Sequence, residues 1–268
     1  MLMLQFQNAA VKNFNRKIYA GSIKYEVKNC LCDFRSFSRI FSYDRYGLWH
    51  PTVICKRCGL IQSNPRLLNV EYDKFYSSDE YRYLYEGENF LDLCKLRYGS
   101  SNHIFKQLFS IISDLGLHSI LEFGCGGGWN LLPFYEAGYK VKGYDYSFSL
   151  AFLGKSYGLD IINGSYDELQ QNDDKFDVII LNHVIEHFTD LFYSLNFIIR
   201  YLNNNGIVYI AVPNIDNFAK SQFQNAHVYY FSPRTFKYYL SVCNLELMQF
   251  GSVETIHMSA VPANFLMP

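Results

Sequence analysis

The chain has 268 residues, 49% of them apolar, with 24 Lys and Arg against 25 Asp and Glu. That length accommodates one large domain, or a medium domain beside a small one, around a sizeable core. A net charge of −1 lacks the basic excess of a nucleic-acid binder, and no run approaches the ~18 apolar residues of a membrane span.

The first residues, MLMLQFQNAAVKNF, hold no long apolar run and no small-residue cleavage site. A signal peptide is therefore not expected, and a cytoplasmic location is. In that compartment the seven cysteines read as thiols or metal ligands rather than disulfides. Four of them form two pairs before residue 70: Cys30 with Cys32, and Cys55 with Cys58. The stretch between, FRSFSRIFSYDRYGLWHPTVI, reads as short strands and turns. CKRCGL at 55–60 has the spacing to turn two thiolates around one tetrahedral ion. CLC at 30–32 has a single intervening residue where two to four are usual. A structural zinc on Cys30, Cys32, Cys55 and Cys58 is expected, with His50 as a substitute ligand. Cys94, Cys125 and Cys243 have no partner pattern and read as small apolar fillers.

Residues 1–70 thus form a small lobe. An aromatic connector, VEYDKFYSSDEYRYLYEGENF, carries the chain through 71–99, and a different pattern fills 100–268. There the spacing predicts helices over 101–115, 128–137, 148–157, 190–203 and 233–243. Strands are predicted at 119–123, 139–145, 160–163, 176–182, 206–212, 245–252 and 260–266. FDVIILN at 176–182 is nearly continuous in apolar residues, as a central parallel strand should be. The alternation predicts an α/β fold with a doubly wound, Rossmann-like, seven-stranded and mostly parallel sheet.

In such sheets ligands sit beyond the carboxyl ends of the strands. After the strand SILEF comes GCGGGWN, whose glycines allow backbone N–H groups to approach a polar ligand at a helix N-terminus. The spacing is not G-x-G-x-x-G, because Trp129 stands where the third glycine belongs. It is E-x-G-x-G-x-G, from Glu122 to Gly128.

On these residues the stretch from roughly 100 to 268 resembles class I S-adenosylmethionine-dependent methyltransferases. The resemblance implies that Glu122, Phe123, Gly124, Cys125, Gly126 and Gly128 pass under the amino-acid part of S-adenosylmethionine, or of its product S-adenosylhomocysteine. It implies that Asp145, in KGYDYS with Tyr146 and Ser147, accepts both ribose hydroxyls, a task suited to a two-oxygen carboxylate. NGSYDEL then lies at the adenine, with Ser165 where the family often carries an acid, followed by Tyr166 and Asp167. FDVIILNHVIEHF resembles the family's fourth strand and following turn, with Asn182 and His183 at the strand end. HVIEH is also similar to a motif of ubiquinone-biosynthesis O-methyltransferases that binds a divalent ion. His183 replaces their first acid, so no catalytic metal is expected.

CKRCGLIQSNPR, with the tyrosine-rich connector, resembles the zinc-ribbon lobes that precede methyltransferase domains in sugar C-methyltransferases and in shorter enzymes of bacterial surface-polysaccharide synthesis. The chain leaves no room for the further C-terminal domain of the C-methyltransferases. The expectation is therefore O-methylation of a sugar, nucleotide-sugar or other capsule or lipopolysaccharide precursor.

A hydroxyl acceptor benefits from a base, and histidine suits that role near neutral pH. His183, His187 and His227 all fall near predicted strand ends. His227, in QNAHVYYFSPRTF, resembles the sugar C-methyltransferase stretch that carries a glutamate–histidine pair, with Ala226 in the glutamate position. His227 and His183 are the favoured bases. Tyr76 and Tyr81 of the connector are candidates to fold over a small-molecule or glycan-precursor acceptor. The rival readings are methylation of a phosphorylated metabolite, quinone or amine, and a non-catalytic binding protein that kept the fold. Oligomeric state is left open.

Overall fold

In the computed structural model, which describes residues 5–77, 84–85, 87, 90–100, 103–164, 174–217, 222–252 and 255–262, the chain begins with a helix that the sequence reading did not predict. This is α1 (Gln5–Tyr19), which turns the buried residues Val11 and Phe14 inward. Five short strands follow: β1 (Tyr25–Glu26), β2 (Phe37–Tyr43), β3 (Trp49–Cys55), β4 (Ile61–Ser63) and β5 (Arg66–Leu67). The connector then folds as α2 (Asn69–Ser77) and α3 (Phe90–Ser100).

The second half runs α4 (His103–Asp114), β6 (Ser119–Phe123), α5 (Leu132–Glu136), β7 (Lys140–Asp145), α6 (Phe148–Ser156), β8 (Ile161–Asn163) and β9 (Phe176–Asn182). It continues with α7 (Leu191–Ile199), β10 (Leu202–Pro213), β11 (Tyr229–Tyr230), α8 (Pro233–Val242), β12 (Leu245–Ser252) and β13 (Thr255–Pro262). Seven of these strands make one sheet in the order β8-β7-β6-β9-β10-β13-β12. β6 to β10 run parallel. β13 lies antiparallel to both its neighbours, because it returns from β12 as a hairpin. The seven-stranded, mostly parallel sheet matches the expectation from sequence. The last predicted strand starts five residues earlier, at Thr255 rather than 260.

Both faces of the sheet are covered, which is why its central strands are apolar throughout. Ile120, Val178, Ile180 and Ile207 pack on one face with Ile104, Leu108 and Ile112 of α4. The alternate residues Leu121, Ile179, Leu181 and Val208 face the other way. There they meet Leu195 of α7, Phe236 of α8, and Leu48, Cys55 and Leu60 of the N-terminal lobe.

The lobe therefore shares its core with the sheet domain. It also borrows a strand. β11 joins the lobe's antiparallel sheet, in the order β11-β4-β3-β2, through Tyr229 opposite Gln62 and Tyr230 opposite Ile61. Among the described residues, no helix is long and apolar enough to cross a membrane.

Candidate active site

β6 is flanked by parallel neighbours on both sides, β7 and β9. At its carboxyl end the connections diverge and leave a crevice. A cavity of about 290 Å³ lies there, walled by Phe123, Gly124, Asp145, Tyr146, Ser147, Gly164, His183, Val184 and His187, among others. Gly124 has φ of 60°, and a Cβ on it would stand 2.7 Å from Val184 Cγ2. Only glycine lets the strand turn there without pushing into the wall.

The rest of the glycine loop lies behind that wall. Gly126 makes room for the Trp129 ring, and Gly128 for Leu159 and Ile161. Cys125 is buried beneath the loop. Glu122 is fully buried and accepts a hydrogen bond from Asn130 Nδ2 at 2.7 Å. Burial, reinforced by the nearby Asp145 charge against the Asn130 bond, pushes its carboxyl up to about 8. None of these four residues lines the cavity, and neither does Asn182 at the end of β9. Ser165, Tyr166, Asp167 and Tyr81 lie outside the described residues.

Asp145 closes β7 and is 6% exposed. Its Oδ2 accepts from the Gly126 N–H at 2.7 Å, and its Oδ1 from the Ser147 N–H at 2.9 Å. These two bonds aim the carboxylate. A carboxylate has acceptor capacity beyond two donors, so this geometry suits a vicinal diol. Ser147 also caps α6 by accepting from the Leu150 N–H. The residues present thus fit the ribose of S-adenosylmethionine.

Two histidines face the same cavity. His183, just past β9, has φ of 55°, a left-handed conformation that a non-glycine residue adopts only under constraint. Its Nδ1 lies 3.3 Å from Glu186 Oε1, and Glu186 is 1% exposed. Enclosure by the cavity walls opposes the imidazolium, but the bond and charge of Glu186 outweigh it and raise the His183 pKa. His187 Nδ1 is 2.9 Å from the Ala226 carbonyl and 2.8 Å from the Tyr76 hydroxyl.

His227 is placed differently from the sequence expectation. It is 3% exposed and stands behind His187, with ring centroids 4.8 Å apart and no share in the cavity wall. Burial first, then the neighbouring His187 and His183, hold its pKa well below the ordinary histidine range. Glu186, His187 and His227 nevertheless bring one donor atom each within 4.8 Å of the others.

The opposite wall comes from α2. Asn69, Tyr72, Asp73 and Tyr76 all line the cavity. Their spacing of i, i+3, i+4 and i+7 is one face of a helix. Sequence reasoning named only Tyr76; the periodicity of NVEYDKFY was the signal for the other three.

The four paired cysteines converge as expected. Cys30 Sγ is 3.5 Å from Cys58 Sγ, and Cys32 Sγ is 3.7 Å from Cys55 Sγ. All four sulfurs lie within 4.8 Å of one another. A tetrahedral zinc with bonds of about 2.3 Å would separate its sulfurs by about 3.8 Å, so the set fits that ion. Burial raises the Cys30 thiol. Burial also opposes ionisation of Cys55, but the Cys58 and Arg57 N–H groups and the neighbouring thiols outweigh it and bring it down to about 7. The Tyr239 hydroxyl of α8 donates to Cys58 Sγ at 3.1 Å. His50 is not a fifth member: its Nε2 is engaged with the Tyr230 hydroxyl at 2.7 Å.

Residues 99–249 match the family described as "Methyltransferase domain". The chain belongs to this family. Its fold is that of the class I S-adenosylmethionine-dependent methyltransferases. The ubiquinone biosynthesis O-methyltransferase of Pelagibacter ubique (strain HTCC1062) is 32% identical over 127 residues, 45% of this chain and 52% of that protein. The enzyme of the same name from Rickettsia prowazekii (strain Madrid E) is 30% identical over 118 residues, 42% of this chain and 46% of that protein. The chain thus spans about half the length of the curated relatives it matches. Among solved structures, the plantazolicin methyltransferase BpumL superposes with a TM-score of 0.53 at 13% identity, covering 72% of this chain and 96% of that one. Magnesium protoporphyrin IX methyltransferase (ChlM) from Synechocystis PCC 6803 gives 0.51 at 16% identity, over 72% and 98%. At these identities the two structures speak for the fold.

Proposed function

We propose that the protein binds S-adenosylmethionine in the cavity at the ends of β6, β7 and β9 and transfers its methyl group to a hydroxyl. The observation that carries this reading is the placement of Asp145 and His183 on one cavity. The first has the acceptor geometry for a ribose diol; the second is a histidine whose Nδ1 is held by a buried carboxylate. When bound, the cofactor supplies an electrophilic methyl. The chain's own residues orient it, shield it from water, and take the hydroxyl proton. With Nδ1 facing Glu186, His183 has Nε2 as its basic nitrogen, the arrangement in which a carboxylate orients an imidazole base. General-base assistance of this kind is worth about 10²–10⁴-fold. Much of the remaining rate comes from aligning acceptor and methyl group.

The acceptor in this reading is a sugar or a related polysaccharide precursor. Support comes from the likeness of the N-terminal lobe and connector to those of sugar-modifying enzymes. A second reading, a phenolic hydroxyl of a quinone precursor, is favoured by the names of the curated relatives. The cysteine tetrad belongs to the same proposal as a structural zinc site. Four thiolates close the coordination sphere, so the ion would hold the lobe and take no part in the chemistry.

Calorimetric titration with S-adenosylmethionine and S-adenosylhomocysteine, beside an Asp145→Ala variant, tests the proposal. Binding that the variant loses is the expected result. A folded wild-type protein that binds neither compound would sink it.

A further inference from the structure

Beside the reaction cavity lies a second, larger and more open cleft of about 750 Å³ between the N-terminal lobe and the methyltransferase domain. The two adjoin: Asn69, at the start of α2, and Thr189, before α7, line both. One wall of the cleft is the 26–31 segment of the lobe, the other Thr189, Asp190 and Tyr229 of the methyltransferase domain. Any acceptor larger than the group being methylated must extend along this route or into solvent.

The lining says what kind of group it takes. Eight of its thirteen residues are polar, and the cleft surface mixes polar and apolar groups in near-equal parts, as the edges and faces of a sugar ring do. A site for an apolar tail is instead lined mainly by hydrophobic side chains. The charges cancel within the wall. Glu26 Oε1 accepts from Arg66 Nε at 3.0 Å, and Glu26 Oε2 lies 3.1 Å from Lys28 Nζ. Arg66, 7% exposed, also donates to the Tyr229 hydroxyl at 3.2 Å. Asp190 caps α7 by accepting from the Tyr193 N–H. The two cations are matched in number by the carboxylates of Glu26 and Asp190, so the wall carries no surplus positive charge to draw in a phosphate. What remains is a mixture of hydrogen-bond donors and acceptors, edged by the exposed aliphatic side chains of Val27 and Val70.

From this we infer that the inter-lobe cleft is a second acceptor subsite, built for an uncharged, hydroxyl-rich group such as a sugar ring. The inference rests on the methyl-transfer reading above and deepens it. It gives the cysteine lobe a role in substrate selection: Cys30 lies in the cleft wall, so the tetrad fixes the segment that recognises the sugar.

The test is saturation-transfer NMR on the full chain saturated with S-adenosylhomocysteine, using a panel of methyl pyranosides and, separately, a prenylated phenol. Val70→Trp provides the block. Val70 is half exposed at the cleft edge, so the indole fills the cleft without disturbing the core. The expected result is pyranoside signals that the variant loses while its S-adenosylhomocysteine affinity stays at the wild-type value. Pyranosides that give no signal, or the same signal with Val70→Trp, would overturn the proposal. Binding of the prenylated phenol that Val70→Trp abolishes would also overturn it, by assigning the cleft to an apolar tail. Failure of the methyl-transfer reading is seen separately, as absent cofactor binding in the calorimetric titration.

Discussion

The Tyr76 hydroxyl lies 2.8 Å from His187 Nδ1, across 111 residues of sequence, and both groups meet at the Ala226 carbonyl. A carbonyl only accepts, so at 2.9 Å from it Nδ1 carries the proton and the lone pair of the neutral ring is on Nε2. Three separate segments, α2, the turn after β9 and the stretch before β11, thus set one histidine at the cavity wall. In Tyr76→Phe the carbonyl still demands the Nδ1–H tautomer, but the ring loses one restraint. The expected outcome is an unchanged tautomer by ¹⁵N NMR, broadened His187 resonances and a loss of about 1 kcal/mol in stability. An Nε2–H tautomer in the wild type would refute the assignment.

The His183–Glu186 pair makes a pH prediction with a definite sign. Glu186 holds the folded-state His183 pKa above its ordinary value. The pair's stabilisation is therefore full below the unfolded histidine pKa of about 6.5 and fades as pH rises through the higher folded value. Glu186→Gln should lower the His183 midpoint in an NMR titration. The stability gap to wild type should be wider at pH 6 than at pH 9. If His183 is the base, the acid limb of the pH–rate profile moves to lower pH in the variant by the same amount as the NMR midpoint. A midpoint unmoved by the substitution would remove Glu186 from its orienting role.

Much of this architecture was legible because it follows from local pattern. SILEF and FDVIILN are strands in their own right, and CKRCGL can bend around an ion wherever it sits. The features that local pattern did not reveal depend on partners further away. Gly126 and Gly128 read as cofactor glycines, and the structure adds a packing role, their missing Cβ atoms making room for Trp129 and for Leu159 and Ile161. His227 sits in a stretch that looks catalytic, yet the pairing of Tyr229 with Gln62 draws that stretch into the lobe's sheet and turns the ring behind His187. No local periodicity encodes a two-residue strand that completes a sheet begun at residue 37. The α2 stripe was readable but was masked by the surrounding run of tyrosines.

Glu122 gives a second pH dependence, of opposite chemistry. Its folded carboxyl titrates near 8 because it is buried, against about 4.3 in an unfolded chain. Between those values the unfolded state has lost the proton that the folded state keeps, so stability falls as pH rises. Glu122→Gln removes that dependence and keeps an oxygen for Asn130. The variant should melt above wild type, with a gap that grows from pH 5 to pH 8 in thermal denaturation. A gap that stays flat over that range would show Glu122 ionised in the fold.

The cysteine tetrad sits where loss of an ion would be felt beyond the lobe. Cys30 and Cys55 belong to the same buried cluster as Leu181, Val212 and Phe236 of the methyltransferase domain, and Tyr239 of α8 donates to Cys58. If zinc holds the four sulfurs, elemental analysis should find one ion per chain. Cys58→Ser should then lower the melting temperature of the whole protein in a single transition, because the lobe has no separate core to melt alone. Loss of a bound metal belongs to the larger class of destabilising changes, about 3 kcal/mol or more. At this chain length each kcal/mol moves Tm by roughly 2–4 °C. Chelation of the wild type should reproduce the shift and leave Cys58→Ser unaffected. Two separate transitions would show the lobe and the sheet domain to be energetically independent. A metal-free wild type with an unchanged Cys58→Ser melting point would reduce the tetrad to four packed thiols, held together by burial and by Tyr239.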